Sequence, residues 1–139
     1  MLRIIGEPSA ADHAMLQSMG IDYEWKSRLS DEEMQEAYAT SDLLLFCSTL
    51  EGFGMPILEA KAVGLPVITS DIEPMNEVVG EEGFTSDCNN PVDMRRAILQ
   101  GLSHVEYASA VASNSNSRNS VCGAYGDYMK IYAGALRVE

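Results

Sequence analysis

The sequence predicts an α/β fold: a doubly wound, mostly parallel sheet with helices on both faces. Three observations carry this. Short apolar runs suited to buried strands alternate with segments of helical periodicity. The alternation continues from Leu2 to about Thr85, so successive strands are joined through crossover helices. Helix-opening serines and helix-closing glycines stand where that alternation needs them.

Leu2–Ile5 reads as the first strand. Ala10–Met19 follows as a helix, with Ser9 as N-cap and Gly20 just past its end. Asp22–Trp25 is a short strand. Ser30 and Glu33 have the spacing of a capping box, opening a helix that runs to about Thr40. Leu43–Cys47 is apolar throughout, the mark of a buried strand. Met55–Val63 is helical and closed by Gly64, Pro66–Thr69 is a strand, Glu73–Val79 holds a short helix, and Gly83–Thr85 is a last short strand. Pro91 suits the first turn of a helix reaching about Leu102. Residues 113–120 are polar, weak helix formers and read as a loop or frayed helix. Val121, Tyr125, Tyr128, Met129, Tyr132 and Leu136 then return at helical spacing, so residues 91–139 are mainly helical.

The 139 residues fit one domain large enough for a true core. No apolar run approaches the roughly 20 residues that cross a bilayer, and Glu7 interrupts the N-terminal apolar stretch too early for a signal peptide. Cys47, Cys88 and Cys122 are widely spaced, without a Cys-x-x-Cys pair. This pattern argues for a reducing cytoplasm and against a disulfide framework or zinc site. The formal net charge of −12 leaves no basic stripe for nucleic acid. An anionic ligand would be repelled at long range and would need local donors.

The chemistry concentrates in Glu51-Gly52-Phe53-Gly54-Met55-Pro56-Ile57-Leu58-Glu59-Ala60. Two carboxylates bracket a glycine turn between a strand and a helix, a layout that sets backbone N–H groups and a helix N-terminus against a phosphorylated ligand. Together with Gly64-Leu65-Pro66-Val67-Ile68-Thr69, this stretch resembles the Glu-x7-Glu block of retaining, GT-B-fold glycosyltransferases of group 1 (GT4-type). Leu2-Arg3-Ile4-Ile5-Gly6-Glu7 looks like the second strand of that family's Rossmann-like donor-binding domain. Ser30 through Tyr38 and Ser41-Asp42 looks like its next helix, and Glu77-Val78-Val79-Gly80 matches the segment after the fourth strand present. The likeness covers nearly the whole chain and weakens after about Asn90.

The resemblance implies a part of a transferase. A GT-B enzyme has two Rossmann-like domains, the N-terminal one holding the acceptor. This sequence matches only the C-terminal one, from its second strand onward. The family's first strand, and the following loop with the arginine and lysine that bind the donor diphosphate, have no counterpart. The expectations are therefore an isolated chain without turnover, since leaving-group stabilisation is often the largest catalytic term, and a sheet in which Leu2–Ile5 and Leu43–Cys47 either pair directly or leave open edges. Partners implied are a nucleotide-sugar, the acceptor domain, and a second copy through an open edge or an exposed C-terminal helix. The location implied is cytoplasmic, peripheral at the inner membrane in the full-length enzyme, and the process polysaccharide assembly.

In the family, the residue at Glu59 accepts hydrogen bonds from the donor ribose, a charge-assisted contact to a diol. Glu51 would touch hydroxyls of the transferred sugar and stabilise positive charge at the anomeric centre, which makes it the catalytic candidate. Gly52, Phe53 and Gly54 form the turn, the glycines permitting positive φ. Their N–H groups, with those of Met55 and Ile57, would face sugar and phosphate. Phe53 is either a packed turn aromatic or a ligand wall. Arg28 lies in a loop that holds the base in relatives, though Ser27 replaces a frequent glycine there. It would stack on the base or stand as a solvated surface arginine. Thr69 and Ser70 end a strand near the same crevice, their hydroxyls serving phosphate or a turn equally well. Glu77 is a weaker candidate. Trp25 reads as core, and Lys61, His13 and His104 as surface residues. No cofactor or metal is expected, because no ligand cluster or Asp-x-Asp motif occurs. Two readings compete: a non-catalytic nucleotide-binding or interaction module, and another GT-B enzyme such as an epimerase or phosphorylase, which the Gly-Phe-Gly turn disfavours. Two flanking carboxylates also suit a glycoside hydrolase, against which stands the nucleotide role of Glu59.

Overall fold

A computed structural model describes residues 1–81 and 83–112, with side chains as far as His104. The expected loop at 113–120 and the helical stripe after it lie outside the described residues. The elements are β1 (Leu2–Ile5), α1 (Ala10–Ser18), β2 (Tyr23–Lys26), α2 (Asp31–Ala39), β3 (Leu44–Phe46), α3 (Met55–Ala62), β4 (Val67–Ser70), α4 (Met75–Val79), β5 (Phe84–Ser86) and α5 (Pro91–Ala112). The fold is α/β, with parallel sheets flanked by helices. Among the described residues the strands form a two-stranded sheet, β1-β2, and a three-stranded one, β3-β4-β5; of the two alternatives, it is not direct pairing of β1 with β3 that is found. The described residues fall into two compact units, Met1–Glu36 and a second beginning at Ala37.

In the first unit, β1 and β2 run parallel with Leu2 level with Tyr23 and Ile5 with Lys26. Arg3 sits opposite Glu24 in this register, its Nε 2.5 Å from Glu24 Oε1. Helix α1 starts in a full capping box. Ser9 Oγ accepts from the Asp12 N–H at 3.2 Å, while Asp12 Oδ2 accepts from the Ser9 N–H at 2.9 Å. Gly20, with φ 65°, follows the helix as its sequence position suggested. Helix α2 opens in the predicted box, Glu33 N–H to Ser30 Oγ at 3.2 Å and Ser30 N–H to Glu33 Oε2 at 2.8 Å.

In the second unit β4 is the centre. All four of its residues are buried, as a strand flanked by β3 and β5 and covered on both faces should be. Ile68 is fully buried, and α5 lies against it through Gly101, where an added Cβ would stand 2.9 Å from Leu43 Cδ1 and 3.5 Å from Ile68 Cδ1. Ile57, Val67, Met75 and Val79 complete the core. Burying such side chains stabilises by about 1.5–3 kcal/mol each. By contrast β3, written as an interior strand, has only β4 beside it among the described residues, and Leu45 is 42% exposed. The open-edge alternative thus replaces the buried strand. Asn90 caps α5 by accepting from the Val92 N–H at 3.1 Å, and Pro91 fills its first position. The helix continues beyond the expected Leu102 to Ala112, because the alanines at 108, 110 and 112 are strong helix formers.

Candidate functional site

The site is built where β3, β4 and β5 end, the side on which open α/β sheets bind ligands. Three bonds tie these ends together. Thr69 Oγ1 donates to Phe46 O at 2.9 Å, Ser70 Oγ donates to Ser48 O, and the Asp71 N–H donates to Ser86 O at 3.0 Å. They fix the floor from which residues 47–54 rise. Glu51, Gly52 and Phe53 are exposed on that loop, Phe53 at 60%. Phe53 is therefore free to form a ligand wall and is not packed into the turn.

The loop ends at Gly54, which caps α3 with φ 73° and ψ 44°. Here glycine is required twice over. A side chain would be strained at this φ, and its Cβ would lie 3.0 Å from Met75 Sδ and 3.1 Å from Ile57 Cδ1. Gly52 takes no positive φ and has open space around it, so of the two turn glycines only Gly54 uses its special freedom.

Glu59 lies in the second turn of α3, half-buried. Its Oε2 accepts a 2.8 Å hydrogen bond from the Tyr38 hydroxyl. Tyr38 is buried at the end of α2. A buried phenol needs a partner, and by finding one in Glu59 it leaves that carboxylate's other oxygen to point elsewhere. Nothing in the sequence linked these residues beyond their types, a tyrosine on an apolar helical face and a glutamate on the next helix. Met55, four residues before Glu59, shares its helix face and is half-buried.

Two candidates have their polar groups engaged within the protein. Ile57 is fully buried and its N–H is already bonded to Gly54 O at 2.9 Å, so it supplies packing and not a donor. Thr69 is also fully buried, and its hydroxyl is spent on Phe46 O. In the first unit, Arg28 is exposed and takes φ 55°, so the loop adopts a left-handed residue one position after the expected glycine. Glu77 is exposed in α4.

Two side chains expected at the surface or in the core, His13 and Trp25, are placed otherwise. His13 is half-buried, its Nδ1 2.7 Å from the Tyr23 hydroxyl. Trp25 is 42% exposed, edge-on to the His13 ring at 5.9 Å. A four-residue strand in a two-stranded sheet gives it no deeper cover. Lys61 is exposed, as expected, and its Nζ reaches the end of α4, donating to Val78 O at 3.2 Å and Val79 O at 3.0 Å. His104 is exposed, as expected.

The model of the family described as "Glycosyl transferases group 1" matches residues 1–118. The chain belongs to that family. Among relatives, it is 40% identical to an O-antigen chain mannosyltransferase B of Escherichia coli over 72 residues, 52% of this chain and 19% of the relative. It is 38% identical to a serotype-specific mannosyltransferase WbdA of the same species over 82 residues, 59% of this chain and 10% of the relative. It is 32% identical to an MMP alpha-(1->4)-mannosyltransferase of Mycolicibacterium hassiacum over 90 residues, 63% and 22% respectively. The matched part of this family member thus spans between a tenth and just over a fifth of these relatives. Among its described residues, no three His, Cys, Asp or Glu side chains gather as a metal site, and no helix is long and apolar enough to cross a membrane.

Proposed function

We propose that this chain is the donor-binding portion of a retaining glycosyltransferase that moves a mannosyl group from a nucleoside-diphosphate sugar to a growing glycan. The observation that carries the reading is the carboxylate of Glu59, held by Tyr38 on the helix that follows a left-handed glycine turn. An ionised carboxylate fixed by one neutral donor keeps acceptor capacity for a ribose diol, and such contacts are the stronger class of hydrogen bond. Glu51 and Phe53, exposed on the preceding loop, face the sugar. Glu51 supplies negative charge near an anomeric carbon that becomes cationic as the diphosphate leaves. The mannosyl assignment rests on the mannosyltransferases among the relatives, and the retained configuration on the family resemblance. No metal takes part in this reading.

The 139 residues alone bind donor without turning it over. From Ala37 to Ala112 the chain carries three cations, Lys61, Arg95 and Arg96. Lys61 is engaged at the end of α4, and Arg96 is paired with Asp93 at 2.7 Å. In this reading too little positive charge faces the leaving diphosphate, and such charge is often the largest catalytic contribution.

Calorimetric titration of UDP, GDP and ADP into the chain tests this. Saturable binding of one nucleotide is expected, weakened at least about tenfold in Glu59→Ala, since a hydrogen bond to a charged group contributes about 1.5–3 kcal/mol. Tyr38→Phe should weaken it less, while leaving the fold intact by circular dichroism. A folded chain that binds none of the three, or binds equally well in Glu59→Ala, overturns the donor-site reading. Mannosyl transfer by the chain alone, at the rate of full-length relatives, overturns its inactivity.

A further inference from the structure

Two sulfur atoms of different kinds meet between α5 and the end of β3: Cys47 Sγ lies 3.8 Å from Met94 Sδ. The packing of the second unit sets this spacing. Met94, Ala97 and Gly101 follow one another at steps of three and four residues, so they line one face of α5. Ala97 is fully buried, and Gly101 lies against Leu43. Leu43 precedes β3 and Cys47 directly follows it. The helix is therefore fixed against both ends of this strand, through Gly101 at one and Met94 at the other. Both sulfur residues are half-buried, held in place yet within reach of a small solute. A thioether is only a weak hydrogen-bond acceptor, so this neighbour does little for a thiol proton. As metal ligands, however, a thiolate and a thioether are both soft donors, a pair that suits Cu(I). Two metal–sulfur bonds of about 2.3 Å that reach sulfurs 3.8 Å apart enclose an angle of roughly 110°, the angle of a tetrahedral centre.

We propose that Cys47 and Met94 form a binding site for one soft monovalent cation of the Cu(I) or Ag(I) class. Binding exchanges a proton for the metal. The Cys47 S–H bond breaks, its proton leaves to solvent, and the sulfur keeps the electron pair that binds the cation. Met94 Sδ adds a second bond from a lone pair, and no electron changes hands. Burial pushes the Cys47 thiol up to about 12, so the thiol is protonated at neutral pH and a whole proton is released for each cation bound. Coordination ties the start of the loop that carries Glu51 to the first turns of α5.

The test uses the full chain with Cys88→Ser and Cys122→Ser, which leave Cys47 as its one thiol. Cu(I), kept reduced by ascorbate without oxygen and held by a chromophoric chelator, is titrated with this folded protein. One Cu(I) per chain is expected, and X-ray absorption at the copper edge should show two sulfur neighbours at about 2.3 Å. Met94→Leu, a volume-conserving change, should weaken binding at least about tenfold, a loss that partners outside the coordination shell already cause. Cys47→Ser should abolish it. In the unaltered chain, one equivalent of Ag(I) should shield Cys47 from alkylation ahead of Cys88 and Cys122. Equal affinity in a Met94→Leu chain with unchanged circular dichroism, a copper centre with a single sulfur neighbour, or earlier shielding of another cysteine each overturns the proposal.

Discussion

Gly54 and Gly64 stand at the two ends of α3 with almost the same backbone, φ 73° and 71°. Replacing each by alanine separates backbone strain from packing. The left-handed conformation costs a residue with a side chain about 1–2 kcal/mol, and both variants incur it. At Gly64 the new methyl meets nothing within 4 Å. At Gly54 it meets Met75 Sδ at 3.0 Å, Ile57 Cδ1 at 3.1 Å and Met75 Cε at 3.3 Å. Those atoms end flexible side chains, but both residues are fully buried, so their retreat displaces other core atoms. Overpacking of this kind costs about 1–3 kcal/mol. The expected losses are about 1–2 kcal/mol for Gly64→Ala and about 2–5 kcal/mol for Gly54→Ala. Urea unfolding followed by far-ultraviolet circular dichroism measures both in one protein. Equal losses, within about 0.5 kcal/mol, would refute the claim that Gly54 is needed for close approach as well as for its φ.

Two further predictions use the same assay. Lys61→Met should lower stability by about 0.5–1 kcal/mol, through loss of a cation and donor at the last carbonyls of α4; an unchanged midpoint would show those bonds to be exchanged freely for water. Stability should also fall on acidification. The Ser9 hydroxyl and backbone N–H hold the Asp12 carboxyl below its ordinary value. The Asp87 N–H, and then Arg96, do the same for Asp93. A carboxylate depressed in the folded state contributes fully above its unfolded value of about 4 and loses that contribution as pH falls through the folded one. Between pH 5 and the acid limit, Asp93→Asn should therefore show a flatter decline than the parent, and an identical slope would remove Asp93 from the account.

What was legible in the sequence was local. Ser9, Ser30, Gly20, Gly64 and Pro91 each satisfy a requirement set within a few residues, and each is found in its predicted place. Strand ends moved by one residue because ladder partners, not composition, decide them. Cys47 drops out of β3 and Ser70 enters β4. In the site, residue types were legible but directions were not. Ile57 and Thr69 belong to the right segments, yet one N–H is consumed by the helix start and one hydroxyl by a strand 23 residues earlier in sequence. The Tyr38–Glu59 bond spans 21 residues, and the contact of Cys88 with Ser70 depends on a turn held by Asp93. Such long-range pairings arise from packing, which periodicity cannot express. Leu45 shows the converse: its apolar run describes an interior strand, while its exposure records which neighbours are present.

Helix α4 is five residues long, too short to persist by itself. Its first residue, Met75, is buried where Gly54 allows approach, and its last carbonyls rest on Lys61. Both supports come from α3 or the residue that caps it. The two helices therefore open and close as one unit of hydrogen exchange, so a ligand that slows exchange at the glycine turn slows it equally at Val78 and Val79.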